Sequence, residues 1–244
     1  MFVSPISYTP LSALQKLRLE AEKILKARFP AAEVDTSGSK AVKISGGSLR
    51  RPVDVVPSHW HDTVDYQVSQ AEHDRGIKIL DKKQAETLLN MPFRHIKLIG
   101  ERDVSTLFGL KKSIRLCKNV KSDAINEGTE IALPSFDIAS AMYHADQVAL
   151  AAGNASDLAI LAETQRHLDV LARNEAYALA LRVPDGSRAI FDTAAKFQGL
   201  INLSIEIDDL AVEVAKEQNF RHLLNQSEWS SINETLRKSY IAAA

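Results

Sequence analysis

Cysteine is almost absent from this sequence, since Cys117 is the only one among 244 residues. A single thiol cannot form an internal disulfide bond, which excludes the disulfide-framed class of small secreted proteins. Ile114, Leu116 and Val120 surround it at helical spacing, so we expect Cys117 to lie in an amphipathic helix. This cysteine usage indicates a reducing compartment, and we expect the protein in the cytoplasm.

Long apolar runs are also missing. The most apolar region, residues 131–152, is interrupted by Pro134, Asp137, His144 and Asp146, so it is a poor candidate for a membrane span. The first residues lack the basic stretch followed by an apolar run that marks a signal peptide. We therefore expect neither export nor insertion into a bilayer.

Neither positive nor negative charge dominates, because 30 basic and 31 acidic side chains give a net charge of −1. No global field would hold such a protein on DNA or on an anionic membrane, so any nucleotide contact must come from a local patch. A Walker-type phosphate loop and a Gly-x-Ser-x-Gly nucleophile motif are absent as well. The remaining composition, 45% hydrophobic, is that of a globular chain with one large or two small domains.

The residue pattern changes from mixed to helical along the chain. Apolar residues at helical spacing predict a first helix from Pro10 to near Phe29-Pro30. Alternating or β-branched runs predict three strands of a small, largely antiparallel sheet, at about 41–45, 52–56 and 76–80. Later periodicity predicts five helices, at about 103–123, 135–151, 156–180, 190–217 and 228–242. The expected fold class is α+β, with an α/β core over residues 1–100 and a helical domain over residues 101–244.

Asp54 lies in the apolar run Pro52–Pro57. A carboxylate among Val and Pro residues is costly to bury unless a positive group meets it. One interpretation is a strand whose Asp faces solvent on the polar side. The other is a metal-binding or general-base carboxylate presented at the edge of a sheet.

Two other places in the sequence offer polar groups with a possible chemical role. Lys111, Arg115 and Lys118 fall at i, i+4 and i+7 and so share one helix face, which is either a solvated face or an anion-binding one. Ser135 follows Pro134 at a predicted helix start, where its default role is an N-cap.

His59 and His61 would point the same way on a strand and could chelate a transition metal. No further ligands follow at suitable spacing, and Pro57 indicates that the strand has ended. We therefore do not expect a zinc site here.

Seven short segments, in a fixed order along most of the chain, carry a resemblance to a known superfamily: Lys40–Ile44, Arg51–Pro57, Gly76–Ile79, Met91–His95, Lys111–Lys118, Leu133–Phe136 and Pro184–Arg188. Their order and spacing resemble the polymerase-β-like nucleotidyltransferase superfamily. Within it, they resemble the bacterial oligoadenylate-synthetase-like and cyclic-oligonucleotide synthase enzymes. The fold implied for residues 1–100 is a partial nucleotidyltransferase core.

In that family, two carboxylates of a Gly-Ser...Asp-x-Asp element join a third on a neighbouring strand to bind two Mg²⁺ ions, and these bind the triphosphate of ATP or another nucleoside triphosphate. The resemblance implies that Asp54 is the third carboxylate, both catalytic and metal-binding. It implies that Lys118 first, and Arg115 second, meets the triphosphate. It also implies that Ser135 lies against a phosphate.

The first two carboxylates of that family are not visible. Gly38-Ser39 and Gly47-Ser48 are not followed by an Asp-x-Asp at a workable distance, and a lone carboxylate cannot clamp two ions about 4 Å apart. We therefore expect this chain alone to be truncated or inactive, with Mg²⁺ bound weakly or not at all. The missing carboxylates would come from upstream coding sequence or from a separate chain, unless this is a degenerate relative.

The leading hypothesis is a nucleotidyltransferase of a bacterial antiviral defence or signalling system, which in intact form joins nucleoside triphosphates on Mg²⁺. The alternative is a non-catalytic module of the same fold that binds a nucleotide or a partner protein. A sheet that lacks its first strands exposes backbone donors and acceptors. The sequence therefore also predicts a homodimer or a complementing chain at the exposed sheet edge, and no membrane partner.

Overall fold

The computed structural model describes residues 9–219 and 228–239 and divides the chain into two compact units, Met1–Ile96 and Lys97–Ala244. The mixed α+β class expected from the sequence is confirmed, with strands in the first unit and helices in both. The functional assignment of residues 1–100 and 101–244 as separate domains stays a prediction. No helix within the described residues is both long enough and apolar enough to cross a membrane.

The first unit begins with helix α1, Pro10–Arg28. The Thr9 side chain accepts a hydrogen bond from the Ser12 amide, and Pro10 occupies the first helical position, where its missing N–H costs nothing. The predicted helix from Pro10 to near Phe29 is confirmed. Two further helices start in this unit: α2, Val64–Ser69, and α3, Pro92–Ser105, which continues into the second unit.

The strands form two three-stranded antiparallel sheets. The first sheet has the order β1, Ala32–Asp35; β2, Val42–Gly46; and β3, Val53–Val55. The second has the order β4, Ser58–His61; β5, Gly76–Asp81; and β6, Glu86–Asn90. The three predicted strands match β2, β3 and β5. The strands form two sheets where the sequence predicted one, because β1, β4 and β6 were not predicted: β4 and β6 carry no regular apolar alternation, and the alternating run of β1 spans only four residues.

The two sheets meet end to end. Only Val56 and Pro57 separate β3 from β4, so residues 53–61 form one extended run. The Lys82 amide, just after β5, donates to the Ser39 carbonyl ahead of β2 at 2.9 Å. Strands β2 and β5 therefore lie on the same side of the run, and within the described residues its other edge has no strand partner.

Arg18 holds this junction from α1. Its side chain is buried, and its Nε donates to Glu22 Oε1 at 2.9 Å. Its two terminal nitrogens donate to four carbonyls of the β1–β2 loop, those of Thr36, Gly38, Ser39 and Ala41, at 2.7–3.3 Å. Because Ser39 also donates to Asp81, at the end of β5, one guanidinium fixes the loop that joins both sheets.

The second unit is helical, and its elements after α3 are α4, Gly109–Asn126; α5, Ser135–Met142; α6, Gln147–Ala151; α7, Asp157–Arg173; α8, Glu175–Ala180; α9, Ala194–Gln218; and α10, Trp229–Lys238. Three predicted helices are each interrupted by a turn. Leu107 and Phe108 adopt positive φ between α3 and α4, Asp146 caps α6, and Asn174 caps α8. The predicted end of the last helix, residues 240–242, lies outside the described residues.

The core of this unit forms where α7 and α9 pack together and against α4 and α10. Its fully buried side chains are mostly Leu and Ile, with Cys117 among them. Gly109 starts α4 beside α6, where a Cβ would lie 2.2 Å from the Leu150 carbonyl oxygen. The position therefore has no room for a larger residue.

Replacing Arg18 with Met should lower the free energy of unfolding by about 3 kcal/mol, because Glu22 and four loop carbonyls lose their donor. Denaturant titration measures the change. Lys23→Met, at an exposed cation of the same helix, should stay within about 0.5 kcal/mol of the unsubstituted chain. Equal effects of the two substitutions would contradict the role given to Arg18.

Cys117 should resist thiol reagents until the protein unfolds, because burial raises the pKa of its thiol from 9.0 to about 12. The folded state keeps a proton that the unfolded state releases, so stability should fall as pH rises between those two values. The labelling rate with and without denaturant is the test. In a Ser122→Cys control, at an exposed position of α4, the introduced thiol should react at once. Rapid labelling of Cys117 in the native protein would refute the burial argument.

Candidate functional site

Asp54 lies on the edge strand β3, opposite Lys43 of β2. Its neighbours Val53 and Val56 are 43% and 41% exposed, so this apolar run is not buried and the carboxylate needs no compensating cation. No described residue forms a hydrogen bond or an ion pair with it. Its position at a sheet edge fits both interpretations of the sequence, a solvent-facing Asp and a carboxylate presented to a ligand.

Metal ligands do not assemble around this carboxylate within the described part of the chain. No group of three His, Cys, Asp or Glu side chains with the geometry of a metal site occurs there. The strand does end before Pro57, at Val55, but a second strand begins at Ser58, and His59 and His61 lie on it. A single exposed carboxylate does not fit a two-Mg²⁺ site, which needs several carboxylates bound to two ions about 4 Å apart.

The basic face of α4 contains cations of two kinds. Lys111 pairs with the buried Asp103 at 3.3 Å, and Lys112 pairs with Asp157 at 3.0 Å. Arg115 and Lys118 are exposed and have no hydrogen-bonding or charged partner within residues 9–219 and 228–239. These two side chains, which the resemblance assigns to the triphosphate, are therefore available for an external anion.

The start of α5 is exposed at Pro134 and Ser135. Pro134 is the residue before the helix, and it offers no side-chain cap. Ser135 is the first helical residue and is exposed, so its interpretation as an N-cap was wrong. The first amides of a helix lack intrahelical acceptors and attract anions. The Ser135 hydroxyl and these amides can thus donate to the same anionic group.

Contacts from two helices hold the segment ahead of Ser135. Lys121 Nζ on α4 donates to the Leu133 carbonyl at 2.7 Å, and Asn202 on α9 donates to the Glu130 carbonyl at 2.7 Å. Because Lys121 lies three residues beyond Lys118, about 60° round the helix, the bond to Leu133 brings the start of α5 near the turn of α4 that carries Lys118.

A buried ion-pair cluster, which the sequence reasoning missed, lies in the first turn of α5. Asp137 is fully buried and pairs with Arg188 and with Lys196, the latter at 3.0 Å. Lys196 also binds Asp192 at 2.7 Å, and this hydrogen bond lowers the pKa of the Asp192 carboxyl. The available signal was an Asp inside the apolar helix Ser135–Met142, with the Arg of the Pro184–Arg188 segment as its partner.

The structure thus brings Lys118, Arg115 and Ser135 to adjoining elements of the unit Lys97–Ala244. Asp54 belongs to Met1–Ile96, and each unit is described by itself.

No family model matches the chain. The chain is 42% identical over 214 residues to the cyclic dinucleotide synthase CdnE of Yersinia aleksiciae, an alignment that covers 88% of this chain and 56% of that protein. It is 31% identical over 180 residues to the c-di-GMP synthase of Capnocytophaga granulosa, over 73% of this chain and 49% of that protein. The chain therefore spans about half the length of these relatives.

Solved structures show the same fold. The STING-associated CdnE c-di-GMP synthase of Capnocytophaga granulosa superposes with a TM-score of 0.68 and 28% identity, over 83% of this chain and 64% of that one. The Rhodothermus marinus CdnE c-UMP-AMP synthase with Apcpp and Upnpp has a TM-score of 0.61 at 19% identity, covering 86% of this chain and 68% of that one.

Proposed function

The chain belongs to the bacterial cyclic-oligonucleotide synthase group of the polymerase-β-like nucleotidyltransferase superfamily, and on that premise we propose that it binds a nucleoside triphosphate between α4 and α5. Lys118 and Arg115 bind the phosphates from α4, and Ser135 binds them from the start of α5. In the whole protein this binding serves nucleotidyl transfer, and the names of the relatives favour a cyclic dinucleotide as the product.

The observation that carries this proposal is the contrast among the cations of α4. Lys111, Lys112 and Lys121 each bind a described acceptor, whereas Lys118 and Arg115 do not. These two side chains are also the ones that the family resemblance assigns to the triphosphate. Charge-assisted hydrogen bonds to phosphate are among the stronger polar contacts, and Arg can make two of them at once.

The open start of α5 complements these two cations. An ammonium and a guanidinium neutralise part of the triphosphate charge, and amide N–H groups and a hydroxyl add uncharged donors. The helix dipole has its positive end at the same place. A strongly anionic ligand is therefore favoured over a neutral one.

Asp54 is proposed as one carboxylate of the Mg²⁺ site of the whole enzyme. The described residues do not supply the others, so Asp54 by itself would bind the ion weakly. The outer edge of the run β3–β4 is the place where a strand with further carboxylates can pair, either from another segment or from a complementing chain. Catalysis by the described residues alone is not part of this proposal.

A second candidate function is a non-catalytic module that binds a nucleotide or a partner protein. The lone carboxylate favours this candidate, while the phosphate contacts of α4 and α5 would be the same in both. A role in bacterial antiviral defence or signalling, in the cytoplasm, agrees with the proposed product class and with the reduced, buried Cys117.

ATP with Mg²⁺ should raise the melting temperature of the chain by about 4 °C at ten times its dissociation constant, because the ligand binds only the folded state. Lys118→Ala should abolish the rise. The matched control Lys112→Ala, whose lysine is paired with Asp157, should keep it. The nucleotide site would be refuted if millimolar ATP gave no shift in the unsubstituted chain, or the same shift in Lys118→Ala.

The unpaired edge of β3–β4 should make the chain a homodimer or poorly soluble, since exposed strand donors and acceptors pair with another edge. Light scattering of the purified chain measures this. Val53→Lys places a charge on the edge strand and should shift the chain to monomer, whereas Val64→Lys, on the exposed helix α2, should not. A monodisperse monomer of the unsubstituted chain would be the contrary result.

A further inference from the structure

The segment Thr129–Pro134 joins α4 to α5 without forming a helix or a strand. Ile131 and Leu133 are nevertheless buried, so backbone carbonyls of this segment that are shielded from water need donors. Asn202 binds the Glu130 carbonyl at 2.7 Å, and Lys121 binds the Leu133 carbonyl at 2.7 Å. Gly199 of α9 lies so close that a Cβ there would be 3.0 Å from the backbone of Ala132 and Leu133. The segment is thus fixed on two sides.

Lys121 is the α4 side chain that hydrogen-bonds to this segment within the described residues. It lies about 60° round the helix from Lys118, on the stripe of the buried Ile114 and Cys117, which are seven and four residues before it. Its ammonium is half-buried, and burial lowers its pKa. An ammonium in this position that binds a neutral carbonyl acts mainly by holding the backbone.

From this geometry we infer that Lys121 is a positioning residue for the triphosphate site. By binding the Leu133 carbonyl, two residues ahead of Ser135, it sets the start of α5 at a fixed place beside Lys118. One anion can then contact the Lys118 ammonium together with the amides and hydroxyl of the first α5 turn. The inference rests on the proposed function and adds to it a residue that does not touch the ligand.

Two further contacts restrict the start of α5 from its other side. Asp137, in the first turn, is bound by Arg188 and Lys196. Those contacts fix the helix to α9 and to the segment before it, and its buried Ile138 and Met142 pack in the core with α4, so the hydrogen bond of Lys121 acts on the residues just ahead of the helix. Loss of the Lys121 ammonium should therefore move Ser135 relative to Lys118 while α5 stays folded.

The test compares the dissociation constants of ATP and of inorganic tripolyphosphate for four chains: unsubstituted, Lys121→Met, Lys121→Arg and Lys112→Met. Lys121→Met keeps most of the stem and loses the donor, so both constants should rise about tenfold. Lys121→Arg can still donate to the carbonyl and should stay within about threefold. Lys112→Met, on the same helix, should match the unsubstituted chain.

The salt dependence of binding separates positioning from direct phosphate contact. Removal of a cation that touches the phosphate weakens the dependence of affinity on salt, and Lys118→Met should show this. Lys121→Met should weaken binding and leave the salt dependence unchanged. If the salt dependence falls in Lys121→Met as it does in Lys118→Met, Lys121 is a direct ligand and the inference is wrong.

The melting temperature of each variant is also measured without ligand, to separate a loss of stability from a loss of affinity. A lower melting temperature with unchanged ATP affinity in Lys121→Met would show a structural role only and overturn the inference, while the proposed function would stand. Absence of ATP binding by the unsubstituted chain would overturn both. Should Lys121→Met fail to fold, Lys121→Gln, which keeps a neutral donor, replaces it and should lie between Met and Arg in affinity.

Discussion

Carbonyl groups of irregular backbone need hydrogen-bond donors, and in this protein cationic side chains and one amide supply them at two places. Arg18 binds four carbonyls of the loop between β1 and β2, and through that loop it fixes the junction of the two sheets. The extended run that carries Asp54 consists of β3 and β4, and it supplies one edge strand to each sheet at this junction. In the second unit, Lys121 and Asn202 do the same for the segment ahead of α5. These contacts hold the loop beside the strands that carry Asp54 and the segment that leads into α5.

The same requirement distinguishes structural cations from functional ones. A cation that binds an acceptor shielded from water has a structural role, because its removal leaves that acceptor without a partner. Lys111 and Lys121 have this role, and Lys112 is held in a surface ion pair. Lys118 and Arg115 remain on the same helix, exposed and without a described acceptor. Free cations beside an open helix start are what a phosphate-binding site requires.

The sequence predicted the elements whose patterns are local, and missed those that depend on partners. Helix α1 was predicted from its apolar spacing and from Pro10 at its start, and the central strands β2 and β5 from alternation. Strands β4 and β6 lack such a pattern, and β1 alternates over only four residues, so these three strands depend on pairing. Lys118, Arg115 and Ser135 were named through family resemblance. Lys121 and Asp137 were missed because a bond to a distant carbonyl, or a buried ion pair between segments, leaves no periodic signal.

The central claim is that an anionic ligand binds the first turn of α5, and hydrogen exchange with and without ATP tests it most directly. The first amide of a helix lacks an acceptor within the helix, so the amide of the exposed Ser135 should exchange quickly in the free protein. Bound triphosphate should slow it, while exchange in β5, Gly76–Asp81, stays unchanged. ATP binding that leaves the Ser135 amide as fast as in the free protein would contradict the account.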